Sequence, residues 1–239
     1  KLVRVGFFDK KPIIFTDEKG TVQGLAVDFL ADVARKERWT IKFIRGRLHQ
    51  NLDRIKTNEI DLMVPVGFTP ERATYMDFAD TPFFDTWGCL YTLRNGPALS
   101  LENIDGKRIG CVKSSLFNPV FSQMIKDLGI HCKFVEVPDY SQLISGLIEK
   151  KYEGAVGERL ATLYVDENQS RQINSTLVFN PFSIFVSAGK GDPRELLPPI
   201  SRYLSTGKSN PSSQFSRHKD KWLINFRDKT SSILKMLSY

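Results

Sequence analysis

The sequence predicts an α/β protein built as two lobes, and three observations lead there. Short apolar, strand-like runs alternate with stretches whose apolar residues recur at three- and four-residue spacing, the pattern of strands joined by packed helices. This alternation fills the first part of the chain, stops, and restarts near Arg108. Two longer apolar runs, residues 86–93 and 176–188, bracket the second stretch and read as strands crossing from one lobe to the other. Residues 1–90 plus 188–239 are expected in a discontinuous lobe 1, and residues 91–187 in lobe 2.

In lobe 1, residues 2–8 are a first strand, ended by Asp9-Lys10-Lys11-Pro12. Residues 13–16 and 22–25 flank the turn Asp17-Glu18-Lys19-Gly20, where glycine takes positive φ readily, and form a hairpin. Val27, Leu30, Val33 and Ala34 share one face of a helix. Residues 40–44 are a strand, and Leu48, Leu52 and Ile55 mark the next helix. Ile60-Asp61-Leu62-Met63-Val64 is a buried strand that breaks at Pro65 and Gly67. Thr69 then caps a helical turn with Pro70 at its first position, where no amide hydrogen is needed. That turn carries Arg72. Ligands of open α/β sheets bind at the carboxyl edge of the strands, and a guanidinium there offers a planar fork of donors matching a carboxylate. Spacing alone also allows a surface ion pair from Arg72 to Glu71 or Asp77.

In lobe 2, residues 86–93 lead to Arg94-Asn95-Gly96-Pro97. Residues 108–112 are a strand; Phe117, Val120, Phe121, Met124, Ile125 and Leu128 line a helix; residues 132–137 are the next strand. Leu143, Ile144, Leu147 and Ile148 give another helix, and Ala155-Val156 a short strand. The run over 176–188, broken at Asn180-Pro181, returns to lobe 1. There Asp192-Pro193 introduces a helix through Leu196, Ile200 and Leu204, and Trp222, Phe226, Ile233 and Leu237 mark closing helices whose basic face leads toward a membrane segment of a longer parent protein.

The 239 residues, 41% hydrophobic, suffice for two small cores. No run of about 18 apolar residues is present, so none spans a membrane as a helix, and the first residues read as a strand rather than a signal peptide. The net charge of +7 raises the question of nucleic acid, but the basic residues are scattered and no nucleic-acid motif accompanies them. The three cysteines, Cys89, Cys111 and Cys132, are spaced too widely for a zinc site and read as buried free thiols, with a Cys111–Cys132 bridge as the alternative. None of His49, His131 and His218 sits in a catalytic motif, and neither a metal nor a cofactor is expected.

Asp61-Leu62, Thr69-Pro70-Glu71-Arg72-Ala73, Asp77-Phe78-Ala79-Asp80 and Pro82-Phe83 together resemble the signature of family 3 extracellular solute-binding proteins, the periplasmic amino-acid binders with the two-lobed type II fold. Lys11-Pro12-Ile13-Ile14-Phe15, Asp28-Phe29-Leu30, Trp87-Gly88, residues 101–108 and Asn180-Pro181-Phe182-Ser183 are similar to the extracytoplasmic sensor domains of bacterial histidine kinases. The resemblance implies two α/β lobes joined by two crossing strands. It also implies a periplasmic module of an inner-membrane receptor, with a membrane-anchored kinase portion, or sometimes a diguanylate cyclase, in the same chain. On this reading the domain is not itself an enzyme, homodimerisation is open, and closure of the lobes on a small carboxylate-bearing ligand such as an amino acid is the signal. The alternatives are a free binding protein of an ABC transporter and an enzyme resembling cyclohexadienyl dehydratase.

Carried over residue by residue, the resemblance gives Arg72 the ligand carboxylate. Gly67 stands where the family has a hydroxyl, so one donor is missing beside Phe68 and Thr69. Lys113-Ser114-Ser115 matches a Lys-Gly-Ser loop at a helix N-terminus, with Ser114 in place of glycine; the same serines also read as a plain helix cap. Glu158 falls where the amino-acid binders place an aspartate for the α-ammonium, or else it pairs with Arg159 or Lys113. Near the first loop, where transport members stack an aromatic ring on the ligand, this sequence has Asp9-Lys10-Lys11, and Phe8 or Phe68 is the substitute unless either is core. Trp87 lines the cleft or packs at the hinge.

Overall fold

The computed structural model describes residues 1–224. The chain divides into two compact units: Lys1–Phe84 with the chain from Ser183 onward, and Asp85–Phe182.

Unit 1 opens with β1 (Leu2–Phe7) and a small antiparallel hairpin, β2 (Phe15–Thr16) and β3 (Val22–Gln23). α1 (Leu25–Glu37) follows, its first amides taken by loop carbonyls, Leu25 N donating to Pro12 O at 3.1 Å and Ala26 N to Ile13 O at 2.8 Å. Gly24 makes that docking possible: at φ +129° a side chain is disfavoured, and a Cβ would lie 2.5 Å from the Ile13 carbonyl oxygen. Next come β4 (Thr40–Arg45), α2 (Leu48–Lys56) and β5 (Leu62–Gly67), with β1 parallel to both strands in the order β4-β1-β5. The apolar stripe of α2, Leu48, Leu52 and Ile55, closes over Ile60, Met63, Val66 and Met76.

β5 does not break at Pro65. The strand runs on to Gly67, and all six of its residues are buried. Its pairing with β1 ends at Met63, and on the other side the antiparallel partner β11 (Ile173–Gly189) bulges between Phe185 and Ser187. Pro65 therefore sits where the ladder asks for no amide hydrogen, the place a strand tolerates proline. A three-residue 3₁₀ turn (Arg72–Thr74) and β6 (Met76–Phe78), antiparallel to β11, follow. β11 is likewise unbroken at Asn180-Pro181, Asn180 absorbing the irregularity at φ +44°.

The helix expected after Asp192-Pro193 starts later, as α6 (Leu197–Ser209), because the Asp192 carboxylate turns the chain first by accepting from Arg194 N at 3.0 Å and Leu196 N at 3.1 Å. α7 (Gln214–Lys219) is capped by Ser213 and runs into a wider turn over Asp220–Ile224. Phe29, Phe83, Tyr203 and Phe215 form an aromatic cluster beneath α1 and α6. Of the expected closing helices, Phe226, Ile233 and Leu237 lie outside the described residues.

Unit 2 contains most of β7 (Phe84–Leu93), then β8 (Arg108–Val112), α3 (Phe117–Asp127), β9 (Lys133–Val137), α4 (Tyr140–Ile148) and β10 (Gly154–Glu158). A 3₁₀ segment (Ala161–Tyr164) and α5 (Glu167–Arg171), neither foreseen, lead into β11. β9, β8 and β10 are parallel, β7 is antiparallel to β10, and the first part of β11 adds at β7. The core is Leu90, Ile109, Phe121, Ile125, Val156 and Phe179 with their neighbours. All three cysteines are free thiols. The β8–β9 register pairs Cys111 with Glu136, well away from Cys132, which is only half-buried and donates from Sγ to Ile104 O at 3.3 Å.

Candidate functional site

Both units place candidate residues at the carboxyl ends of neighbouring parallel strands. In unit 1, Val5 of β1 faces Leu62 of β5 and Gly6 faces Met63, so the two strands end on one edge. Phe8 and the loop to Lys11 leave that edge, as do Gly67, Phe68 and Thr69. Thr69 caps the turn as expected, its Oγ1 accepting from Arg72 N at 3.1 Å and its carbonyl from Ala73 N at 3.0 Å. The turn folds Arg72 back under the strand end. Its side chain is buried, and Nη1 donates to the Gly67 carbonyl at 2.9 Å. An exposed ion pair with Asp77 is not what forms: Asp77 accepts from Lys190 Nζ and Gly191 N, both at 2.7 Å.

The other unit 1 candidates separate by burial. Phe8 is half-buried and packs on the α2 core. Phe68 is 52% exposed and stands edge-on to Phe78, centroids 5.2 Å apart, which in turn meets Phe185 at 5.9 Å. Of the two rings, Phe68 is the one presented outward. Lys11 is half-buried with Nζ 5.5 Å from the Phe15 centroid, and the loop around it is fixed by Asp9, which accepts from Thr16 N at 2.9 Å and pairs with Arg45.

In unit 2, β8 and β10 are parallel neighbours with Cys111 beside Val156, a register that brings Lys113 and Glu158 to the same edge. Lys113 and Ser114 are exposed, whereas Ser115 is buried. Ser114 takes φ +61°, the left-handed conformation that glycine adopts most easily. Ser115 Oγ accepts from Phe117 N at 3.4 Å, just before α3, whose N-cap position is Leu116 and has no side-chain cap, and its own hydroxyl hydrogen is a further donor.

Glu158 ends β10 opposite Gly88 of β7 and has no solvent exposure. The Tyr91 hydroxyl donates to its carbonyl at 2.5 Å. The next residue, Arg159, donates its amide to Trp87 O at 3.1 Å and lays its guanidinium over the Trp87 ring, 4.3 Å from the centroid. Burial pushes the Arg159 pKa down, while the negative charge of Glu158 works in the opposite direction. Trp87 is thus the platform for a cation. Sequence reading named Arg159 only as a partner for Glu158 and missed Tyr91; adjacency was the available signal for the first, and nothing in the spacing pointed to the second.

No group of three or more His, Cys, Asp or Glu arranged to hold a metal occurs among the described residues. A cavity of about 370 Å³ lies in unit 1 among Lys36, Pro199, Arg202, Tyr203 and Phe215, on elements that carry none of the candidates.

Residues 3–230 match the family model of bacterial extracellular solute-binding proteins, family 3. The chain belongs to this family. Among solved structures, this family 3 protein is similar to a histidine kinase sensor domain with similarity to periplasmic binding proteins, at TM-score 0.82 and 19% identity over 93% of this chain and 96% of that one. It is similar to an ancestral arginine-binding protein bound to arginine, at TM-score 0.80 and 23% identity over 93% and 98%. It is also similar to an ancestral amino acid-binding protein, a precursor of cyclohexadienyl dehydratase, at TM-score 0.76 and 18% identity over 92% and 94%. At such identities the likeness is one of fold, the type II periplasmic-binding-protein fold.

Proposed function

We propose that this family 3 solute-binding protein is the extracytoplasmic sensor domain of a membrane-bound receptor, a histidine kinase, and that it binds a small carboxylate-bearing ligand and signals by closure of its lobes. The observation that carries the ligand class is Arg72, a buried guanidinium at the carboxyl end of β5 whose fork is oriented by the Gly67 carbonyl. Such a fork binds a carboxylate through paired, charge-assisted hydrogen bonds. Ser115, with its remaining donor at the start of α3, supports it from unit 2. A ligand drives closure only by its differential affinity for the closed form.

The receptor assignment is supported by the resemblance of several segments to kinase sensor domains and by the likeness in fold to one such domain. A free binding protein for an amino-acid transporter is the second reading, favoured by the fold of the arginine-binding protein. The full-length gene separates them: a hydrophobic span followed by a kinase module is expected, and its absence overturns the receptor reading. Thermal-shift screening with amino acids and small carboxylates tests the ligand class, since a ligand at 100 times its Kd stabilises by about 2.7 kcal/mol. If neither class raises the melting temperature, the carboxylate reading fails.

A further inference from the structure

Unit 2 carries about as many acidic as basic residues, so the net charge of +7 belongs to unit 1. Part of it is gathered where the end of α1 meets α6 and α7. The cavity of about 370 Å³ opens there, with Lys36, Arg202 and Gln214 among its walls and the rings of Tyr203 and Phe215 lining it. Lys36 extends Nζ to 5.4 Å from the Tyr203 centroid, and Arg217 Nη2 donates to Gln214 Oε1 at 2.6 Å. Arg35 stands on the same side of α1, its Nη1 donating to Asp32 at 3.1 Å. Burial and the bond to Asp32 push the Tyr203 hydroxyl pKa up, and the charges of Arg35 and Arg217 act in the opposite sense, so both guanidiniums lie within electrostatic reach of it. Glu37 is the one carboxylate among the lining residues. Asp32 is already engaged by Tyr203, His218 and Arg35. We propose that this corner of unit 1 docks on a bilayer rich in anionic phospholipid, with a headgroup phosphate seated at the cavity mouth between Lys36, Arg202 and Arg217. The inference rests on the receptor reading and deepens it by naming the face turned to the membrane.

A membrane suits this corner better than a soluble anion does. Arg35, Lys36, Arg202 and Arg217 are all exposed, on long side chains around an open cavity. A small anion would be held only by ion pairs in water, each of them weak. A charged surface engages the whole set at once, and each basic residue near an anionic leaflet raises partitioning about fivefold. Lys219 and Lys221, both exposed, extend the charge along α7 and the turn after it. Beside them Trp222 is half-buried, edge-on to Phe15 at 5.9 Å, with Nε1 donating to Asp28 at 2.7 Å. A tryptophan with an apolar body and a polar edge next to cations is the composition that settles at headgroup level. Nucleic acid is a poorer match, because Tyr203 is half-buried and Phe215 buried, so neither presents a face on which bases stack.

The test is sedimentation of the 239-residue protein with vesicles of phosphatidylcholine, alone or mixed in equal parts with phosphatidylglycerol. Binding is expected only where phosphatidylglycerol is present, and it should weaken at least about tenfold from low to high salt. Lys36→Gln, Arg202→Gln and Arg217→Gln together should lower partitioning at least about tenfold. All three side chains are exposed, so the fold is kept, and an unchanged melting temperature verifies it. The same loss of charge from exposed positions of unit 2, Lys107→Gln with Lys126→Gln and Lys133→Gln, should lower partitioning less than about threefold. Failure to bind the phosphatidylglycerol vesicles overturns the inference, as does equal binding to both vesicle types or an equal loss in the two triple variants. Release from vesicles by millimolar glycerol 1-phosphate reveals a soluble-anion site and overturns the docking. Capture by duplex DNA or polyglutamate in preference to the vesicles does the same. These outcomes leave the receptor reading standing, since the full-length gene decides that separately.

Discussion

At the scale of single residues, the charges most consequential for binding and for stability are buried and partnered. Arg72→Ala removes the guanidinium under the end of β5 and should weaken the ligand by roughly 2–5 kcal/mol, with an unchanged circular dichroism spectrum; normal binding of the ligand by this variant excludes the clamp. Asp32 on α1 accepts from the Tyr203 hydroxyl at 2.7 Å, His218 Nε2 at 2.8 Å and Arg35 Nη1 at 3.1 Å. Burial alone would raise its pKa, but these bonds and the charges of His218 and Arg35 outweigh it and hold the carboxyl below the ordinary range. A folded-state pKa below the unfolded value contributes stability above the unfolded value and loses it as pH falls through the folded one. Asp32→Asn should therefore lower stability by about 1–3 kcal/mol at neutral pH, and melts in increasingly acid buffer should show its deficit vanishing; a deficit that persists in acid contradicts the assignment. Ser114, at φ +61°, is where the structure keeps a conformation suited to glycine under a larger side chain. Ser114→Gly should stabilise by about 0.5–1 kcal/mol, read as a melting point higher by a few degrees. The sequence disclosed Ser114 as a replacement for glycine but not its φ, and it disclosed Glu158 but not the stacked Arg159, because side-chain platforms depend on register across strands that lie far apart in the chain.

At the scale of elements, the parallel strands and the helices between them were legible from apolar spacing, and α1, α2, β8, α3 and α4 fall where that spacing puts them. The two interruptions expected at Pro65 and at Asn180-Pro181 did not appear. Proline is a reliable signal of a missing amide hydrogen, but whether a strand needs that hydrogen is decided by its neighbours, which the local sequence does not reveal. The short pieces β6 and α5 were missed for a related reason: each is held by pairing or capping rather than by an apolar stripe of its own. Close packing between strands supplies a further test. A Cβ on Gly88 of β7 would sit 2.5 Å from the ring of Phe179 on β11. Gly88→Ala should cost about 1–3 kcal/mol by overpacking, measurable as a lower urea midpoint, and an unaffected midpoint would show that the two strands have room to separate.

At the scale of the whole molecule, neither unit owes its stability to a covalent cross-link. Cys89 and Cys111 are buried thiols, and burial beside the charge of Glu136 pushes Cys111 up to about 12. A thiol with so little thiolate is unreactive, so a reductant should leave the melting temperature unchanged, and a drop on reduction would reveal a bridge. The order in which the strands are made has its own consequence. Unit 2 is one uninterrupted stretch, Asp85–Phe182, whereas unit 1 is split around it. On the ribosome, β5 emerges early, but its antiparallel neighbour, the closing part of β11, and the helices α6 and α7 that follow are translated only after unit 2 is complete. At a synthesis rate of about 5–20 residues per second, the first unit to begin is held open for several seconds while the second folds. A nascent chain stalled once unit 2 has emerged should resist protease within that unit and be cut before residue 84, so this protein matures from its middle outward.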